Sequence, residues 1–105
     1  MLRTVNEKAI VMGGIVMQSI ICIEEMSELQ KEITKYLRGK GIKGNLIEEI
    51  ADVYICLDQL KLMYSVSEPE LESMIAAKLR RTSEQLRSLP QYGKLVDRKG
   101  ESHEK

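Results

Sequence analysis

Residues 46–64, LIEEIADVYICLDQLKLMY, constrain this chain more than any other stretch. Apolar side chains occupy almost every helical angle here, so the segment predicts a central helix covered on several sides. A second long helix is predicted over residues 15–37, with an apolar stripe through Ile20, Ile23, Met26, Leu29, Ile33 and Leu37. Its first half, IVMQSIICI, is apolar nearly all round and is expected to be buried on several sides. Residues 5–12 predict a short helix, with Asn6 as its cap and Gly13-Gly14 ending it. GKGIKGN, residues 39–45, reads as a flexible loop with Asn45 capping the central helix. After SVSEPE, Ser67 as N-cap and Pro69 in the first turn predict a fourth helix over residues 70–89, with Leu71, Ile75, Leu79 and Leu86 facing inward. There is no strand alternation and no internal repeat. The expected fold is all-α, of four-helix-bundle type, with one helical domain over residues 1–89. Residues 90–105 form a polar tail, read as a disordered end or an arm on a partner subunit.

A chain of 105 residues suffices for one core. With 16 basic and 16 acidic residues its net charge is zero, which gives no support for broad nucleic-acid or membrane binding. Trp and Phe are absent, so a base-stacking platform is not expected. Cys22 and Cys56 sit in apolar helical segments and read as small buried thiols of a reducing cytoplasm. The apolar run over residues 9–23 is split by Gly13-Gly14, broken by Gln18 and Ser19, and ends in acids. It is too short for a membrane span and unlike a signal peptide, so the expected location is cytoplasmic.

Two acidic words interrupt the apolar helices: EEMSE at residues 24–28 and EEIAD at residues 48–52. Glu25 with Glu28, and Glu49 with Asp52, are spaced i, i+3, which puts each pair on one helical face. Bare carboxylates inside apolar segments are costly. Antiparallel packing of the two helices would bring the rows together, with Glu32 extending the first row and Cys56 the second. Four converging carboxylates suit a hard divalent cation, Mg²⁺ or Mn²⁺, better than zinc or copper. Such an ion would hold phosphate oxygens and acidify a water, with Glu24 or Glu32 placed to orient that water or act as base. Glu48 and Asp58 read as surface charge, and Glu24 is open to the same reading. A di-iron carboxylate site would need Glu-x-x-His pairs, and the single histidine, His103, lies in the tail. Lys78 and Arg81, spaced i, i+3 in KLRR, either meet phosphate charge or form a solvated basic face. Gln18, two turns before Glu25, either touches a base or ribose or hydrogen-bonds within the core or at a subunit interface.

The words EEMSEL and EEIADVYICLDQL resemble the MazG-like, all-α nucleoside triphosphate pyrophosphatases, whose signature is EExxE, a spacer, then ExxD. Glu24, Glu25, Glu28, Glu49 and Asp52 match it, and 20 residues separate Glu28 from Glu49. The MGG turn before the long helix and the later KLRR look similar too, so the resemblance spans residues 5–88. It implies Mg²⁺-dependent hydrolysis of a (deoxy)nucleoside triphosphate to the monophosphate and pyrophosphate. It also implies Glu25, Glu28, Glu49 and Asp52 as metal ligands, Lys78 and Arg81 as phosphate contacts, and a homodimer or homotetramer. Because the chain has no Trp to sandwich a base, base selectivity would either be loose or rest on Met12, Met17 and Gln18. Two alternatives stay open: a non-catalytic helical partner protein that keeps the fold, and an enzyme acting on phosphoribosyl-ATP.

Overall fold

The computed structural model describes residues 1–93, which contain helices and no strand. The helices are α1 (Leu2–Gly13), α2 (Ile15–Leu37), α3 (Lys43–Met63) and α4 (Glu68–Arg87). The chain divides into two compact units, Met1–Val66 and Ser67–Lys105. From residue 94 the expected polar tail, His103 included, lies outside the described residues.

In the first unit α3 returns along α2, and α1 packs against both. Helix α1 starts earlier than expected, with Met1 at its N-cap and its carbonyl accepting from the Val5 N–H. Asn6 is therefore not a cap. It lies inside the helix, 1% exposed, and works across helices. Its Nδ2 donates to Ile55 O at 3.2 Å and to Asp58 Oδ2 at 2.9 Å, and its Oδ1 accepts from Gln59 Nε2 at 2.9 Å. Gly13-Gly14 ends α1 as expected. Gly14 has φ +85°, open to a residue without Cβ, and the chain bends by 118° into α2.

The α2–α3 connection is tighter than a seven-residue loop. Helix α3 begins at Lys43 with Ile42 at its N-cap, so Asn45 sits in the first turn and its own N–H bonds to Ile42 O. Gly41 is required there because a Cβ would stand 2.9 Å from Tyr36 Cα.

The apolar core is small: Cys22, Cys56 and Met63, with Ile10, Met26 and Leu60 packed around them. Both cysteines are free thiols. The remaining buried positions among the described residues are polar, namely Asn6, Gln18, Glu32, Asp58 and Gln59. The all-round burial expected of IVMQSIICI does not occur: Val16 is 75% and Ile23 62% exposed, while Gln18 and Cys22 are inside. On α3, Tyr54 is 72% exposed. Within this unit each helix packs against two others, so the unit by itself cannot cover an apolar surface that runs around a whole helix.

The second unit begins with the expected cap. Ser67 Oγ accepts from the Glu70 N–H at 3.2 Å and donates to Glu70 Oε2 at 2.8 Å, with Pro69 in the first turn. Helix α4 has no buried residue, and the stripe expected to face inward is open, with Leu79 64% exposed. No single helix among the described residues is long and apolar enough to cross a membrane.

Candidate metal centre

The acids of α2 and α3 converge because the tight turn at residues 38–42 lays one helix back along the other. Glu25 on α2 and Glu49 and Asp52 on α3 each present a carboxylate oxygen, and these atoms lie within 4.8 Å of one another. All three side chains are half-buried. Partial burial raises the Glu25 carboxyl above its ordinary range, followed by the charges of Asp52 and Glu49, a hydrogen bond with Asp52, and the charge of Glu28. Glu49 is raised likewise, first by burial and then by Asp52, Glu28, Glu32 and Glu48. Glu49 Oε1 is buried and has no hydrogen-bond partner. A close all-oxygen set with an orphaned oxygen fits a hard divalent cation.

Glu28, the fourth expected ligand, is exposed and outside this close set, and its Oε2 accepts from Lys31 Nζ at 3.2 Å. It contributes charge to both glutamates of the cluster. Glu24 is exposed and lines an open groove of about 500 Å³ with Ile23, Glu25, Ser27, Glu28 and Lys31. A second groove, of about 390 Å³, adjoins it through Ser27 and Lys31 and carries Lys35 and Arg38. Glu32 is buried, with Oε2 accepting from Lys35 Nζ at 3.2 Å and Oε1 unpartnered.

Cys56, one turn beyond Asp52, backs the cluster. Its thiol is pushed up to about 12 by burial, then by Cys22, then by Glu25 and Asp52, so it keeps its proton at neutral pH. Gln18 is buried with Nε2 donating to Gln59 Oε1 at 3.4 Å, which is the core hydrogen bond among the alternatives open for it. Lys78 and Arg81 are exposed on α4, in the second unit.

The expectation for Asp58 is overturned. Asp58 is not surface charge but 8% exposed, with Arg3 Nη2 donating at 2.7 Å and Asn6 at 2.9 Å. Burial alone would raise its carboxyl. The hydrogen bonds from Asn6 and Arg3, with the charges of Arg3 and Lys61, outweigh burial and hold it below the usual range. The sequence signal for this network was available: Asp58 and Gln59 are polar interruptions of the most apolar segment.

Compared with protein-family models, with curated proteins and with solved structures, the chain matches none. The likeness to the all-α pyrophosphatases therefore rests on sequence features alone: the two acidic words with their spacing, the MGG turn and KLRR.

Proposed function

We propose that this chain is a Mg²⁺- or Mn²⁺-dependent nucleotide pyrophosphohydrolase, cleaving a (deoxy)nucleoside triphosphate to the monophosphate and pyrophosphate. The observation that carries the reading is the convergence of Glu25, Glu49 and Asp52 within 4.8 Å across two helices. Those residues, with Glu28 at the edge, would hold the ion. When bound, the ion supplies positive charge to phosphate oxygens and lowers the pKa of a water. Glu24, exposed on the groove wall, or the buried Glu32 would orient the attacking water or take its proton. Lys31, Lys35 and Arg38 in the adjoining groove would be the cations nearest the departing pyrophosphate, and Lys78 and Arg81 keep the phosphate-contact role that the resemblance implies for them. The exposed apolar residues of α2 and α3 support a homo-oligomer as the working form.

The test is pyrophosphate release from a panel of ribo- and deoxyribonucleoside triphosphates with Mg²⁺. Asp52→Asn and Glu49→Gln are each expected to lower kcat/KM by roughly 10²-fold or more, the scale of losing a charge-stabilising group at a reacting centre. No pyrophosphate from any triphosphate, or release unchanged in both variants, would overturn the reading.

A further inference from the structure

We infer that Gln59 is a positioning residue for the carboxylate cluster: its side-chain amide holds the register of α2 against α3, and through it the approach of Glu25 to Asp52. This rests on the reading of that cluster as a cation site and adds the device that keeps its two halves aligned. Three successive rungs cross the α2–α3 seam. Gln18 Nε2 donates to Gln59 Oε1 at 3.4 Å. Cys22 packs on Cys56, with its Sγ 3.7 Å from the Cys56 carbonyl oxygen. Glu25 meets Asp52 in the close carboxylate set. Both helices step through the rungs by three or four residues, so each set of three side chains lies on one face. Gln59 therefore stands two turns, about 10 Å, from Asp52 along the same face of α3.

No rung contains a large apolar side chain. The cysteines are small and their packing is non-directional, so the middle rung sets no strict register. Charged carboxylates in the third rung push the helices apart. Directional hydrogen bonds are left, and Gln59, 7% exposed, makes three. Its Oε1 accepts from Gln18 Nε2 and, at 3.5 Å, from Cys22 Sγ, both on α2. Its Nε2 donates to Asn6 Oδ1 of α1 at 2.9 Å. Sliding one helix along the other breaks these bonds and leaves buried polar atoms unpaired, which is costly. A buried amide that fixes the register of packed helices is the best-attested use of a polar core residue. The turn at Gly41 ties the same two helices at their other end, so the carboxylates lie between two fixed points. Asp58, the neighbouring buried residue, provides the comparison, because its side chain bonds Arg3 and Asn6 of α1.

Mn²⁺ alone can be titrated into the full-length protein, with free ion read by electron paramagnetic resonance and folding checked by circular dichroism. Gln59→Met keeps an unbranched side chain of similar length and removes the amide. It should weaken Mn²⁺ binding roughly 10-fold, the scale of losing a support behind metal ligands, and lower the melting temperature. Gln18→Leu leaves Gln59 its bonds with Cys22 and Asn6, so it should weaken Mn²⁺ binding in the same direction with a smaller change in melting temperature. Asp58→Asn should lower the melting temperature and leave Mn²⁺ affinity unchanged, which separates register from general loosening of the unit. Wild-type Mn²⁺ affinity in folded Gln59→Met, or an equal loss of affinity in Asp58→Asn, would overturn the inference and leave the cation site standing. If Gln59→Met does not fold, wild-type affinity in Gln18→Leu overturns it instead. Absence of Mn²⁺ binding by the wild type would remove the cation site and this role together.

Discussion

Asp58 and Glu49 sit on the same helix, nine residues apart, and their surroundings push them in opposite directions. Asp58 has two donors, Arg3 and Asn6, and the charge of Lys61 at 4.0 Å. Glu49 has other acids around it and one orphaned oxygen. Linkage then shapes the stability of the metal-free chain. Asp58, lowered on folding, contributes stability that is full above the unfolded value of about 3.9 and is lost as pH falls through its folded pKa. Glu25 and Glu49, raised on folding, favour the fold most below the unfolded value of about 4.3, and that advantage is lost as pH rises through their folded pKa values. Thermal melts without metal should therefore show a maximum at mildly acidic pH. Glu49→Gln flattens the limb toward neutrality, and Asp58→Asn flattens the acid limb. Melting temperatures rising steadily from pH 5 to 8 would contradict this assignment. Added Mg²⁺ should raise the melting temperature more at pH 7.5 than at pH 5, because protons compete for the same oxygens. Asp58→Ala should destabilise by about 2–3 kcal/mol, because Asn6 and Arg3 lose a charged acceptor. Arg3→Ala should cost about 1 kcal/mol, since the arginine side chain is half exposed.

At the scale of elements, the α2–α3 turn sets the carboxylate cluster, because it fixes which turn of α3 faces which turn of α2. Gly41 and Gly44 separate turn geometry from intrinsic propensity. Gly41→Ala drives a Cβ against the Tyr36 backbone and should cost about 1–3 kcal/mol, with weaker Mn²⁺ binding as the two helices shift. Gly44→Ala, in the first turn of α3 with nothing within 4 Å, should stabilise by up to about 1 kcal/mol and leave Mn²⁺ binding unchanged. Equal effects on denaturant midpoints would show that close packing at Gly41 is not what holds the turn. What could be read in advance divides along similar lines. The Gly13-Gly14 bend, the Ser67 cap with Pro69, and the paired acids depend on neighbours within a turn or two, so local pattern reveals them. Asn6 was misread because the side chain that makes a good cap also serves as a two-way anchor. Its partners Asp58 and Gln59 lie 52 and 53 residues away. Asp58 was misread for the same reason, since Arg3 is 55 residues distant. The angular spread of apolar residues on α2 and α3 was plain, but it does not say how many neighbours a helix will have.

For the molecule as a whole, the interior and the surface are nearly exchanged. Among the described residues, three apolar ones form the buried core, five polar or charged ones share the interior, and Val11, Met12, Val16, Ile23 and Tyr54 stand open. A core of Cys22, Cys56 and Met63 removes too little apolar area from water to offset the conformational entropy of ordering three helices. Exposed apolar rows of this extent are found where another protein surface covers them. The open rows run along both long helices, so a second copy of the chain, carrying the same apolar rows, could cover them and complete the core. Folding and assembly would then be one transition, and the melting temperature should rise with protein concentration. Val16→Glu and Tyr54→Glu, at positions exposed in the single chain, would be nearly neutral in a monomer. In an assembly each should lower the melting temperature at a fixed concentration and shift the mass measured by light scattering toward one chain. A wild-type mass of one chain at micromolar concentration, with a melting temperature independent of concentration and of both substitutions, would sink the self-assembly proposal.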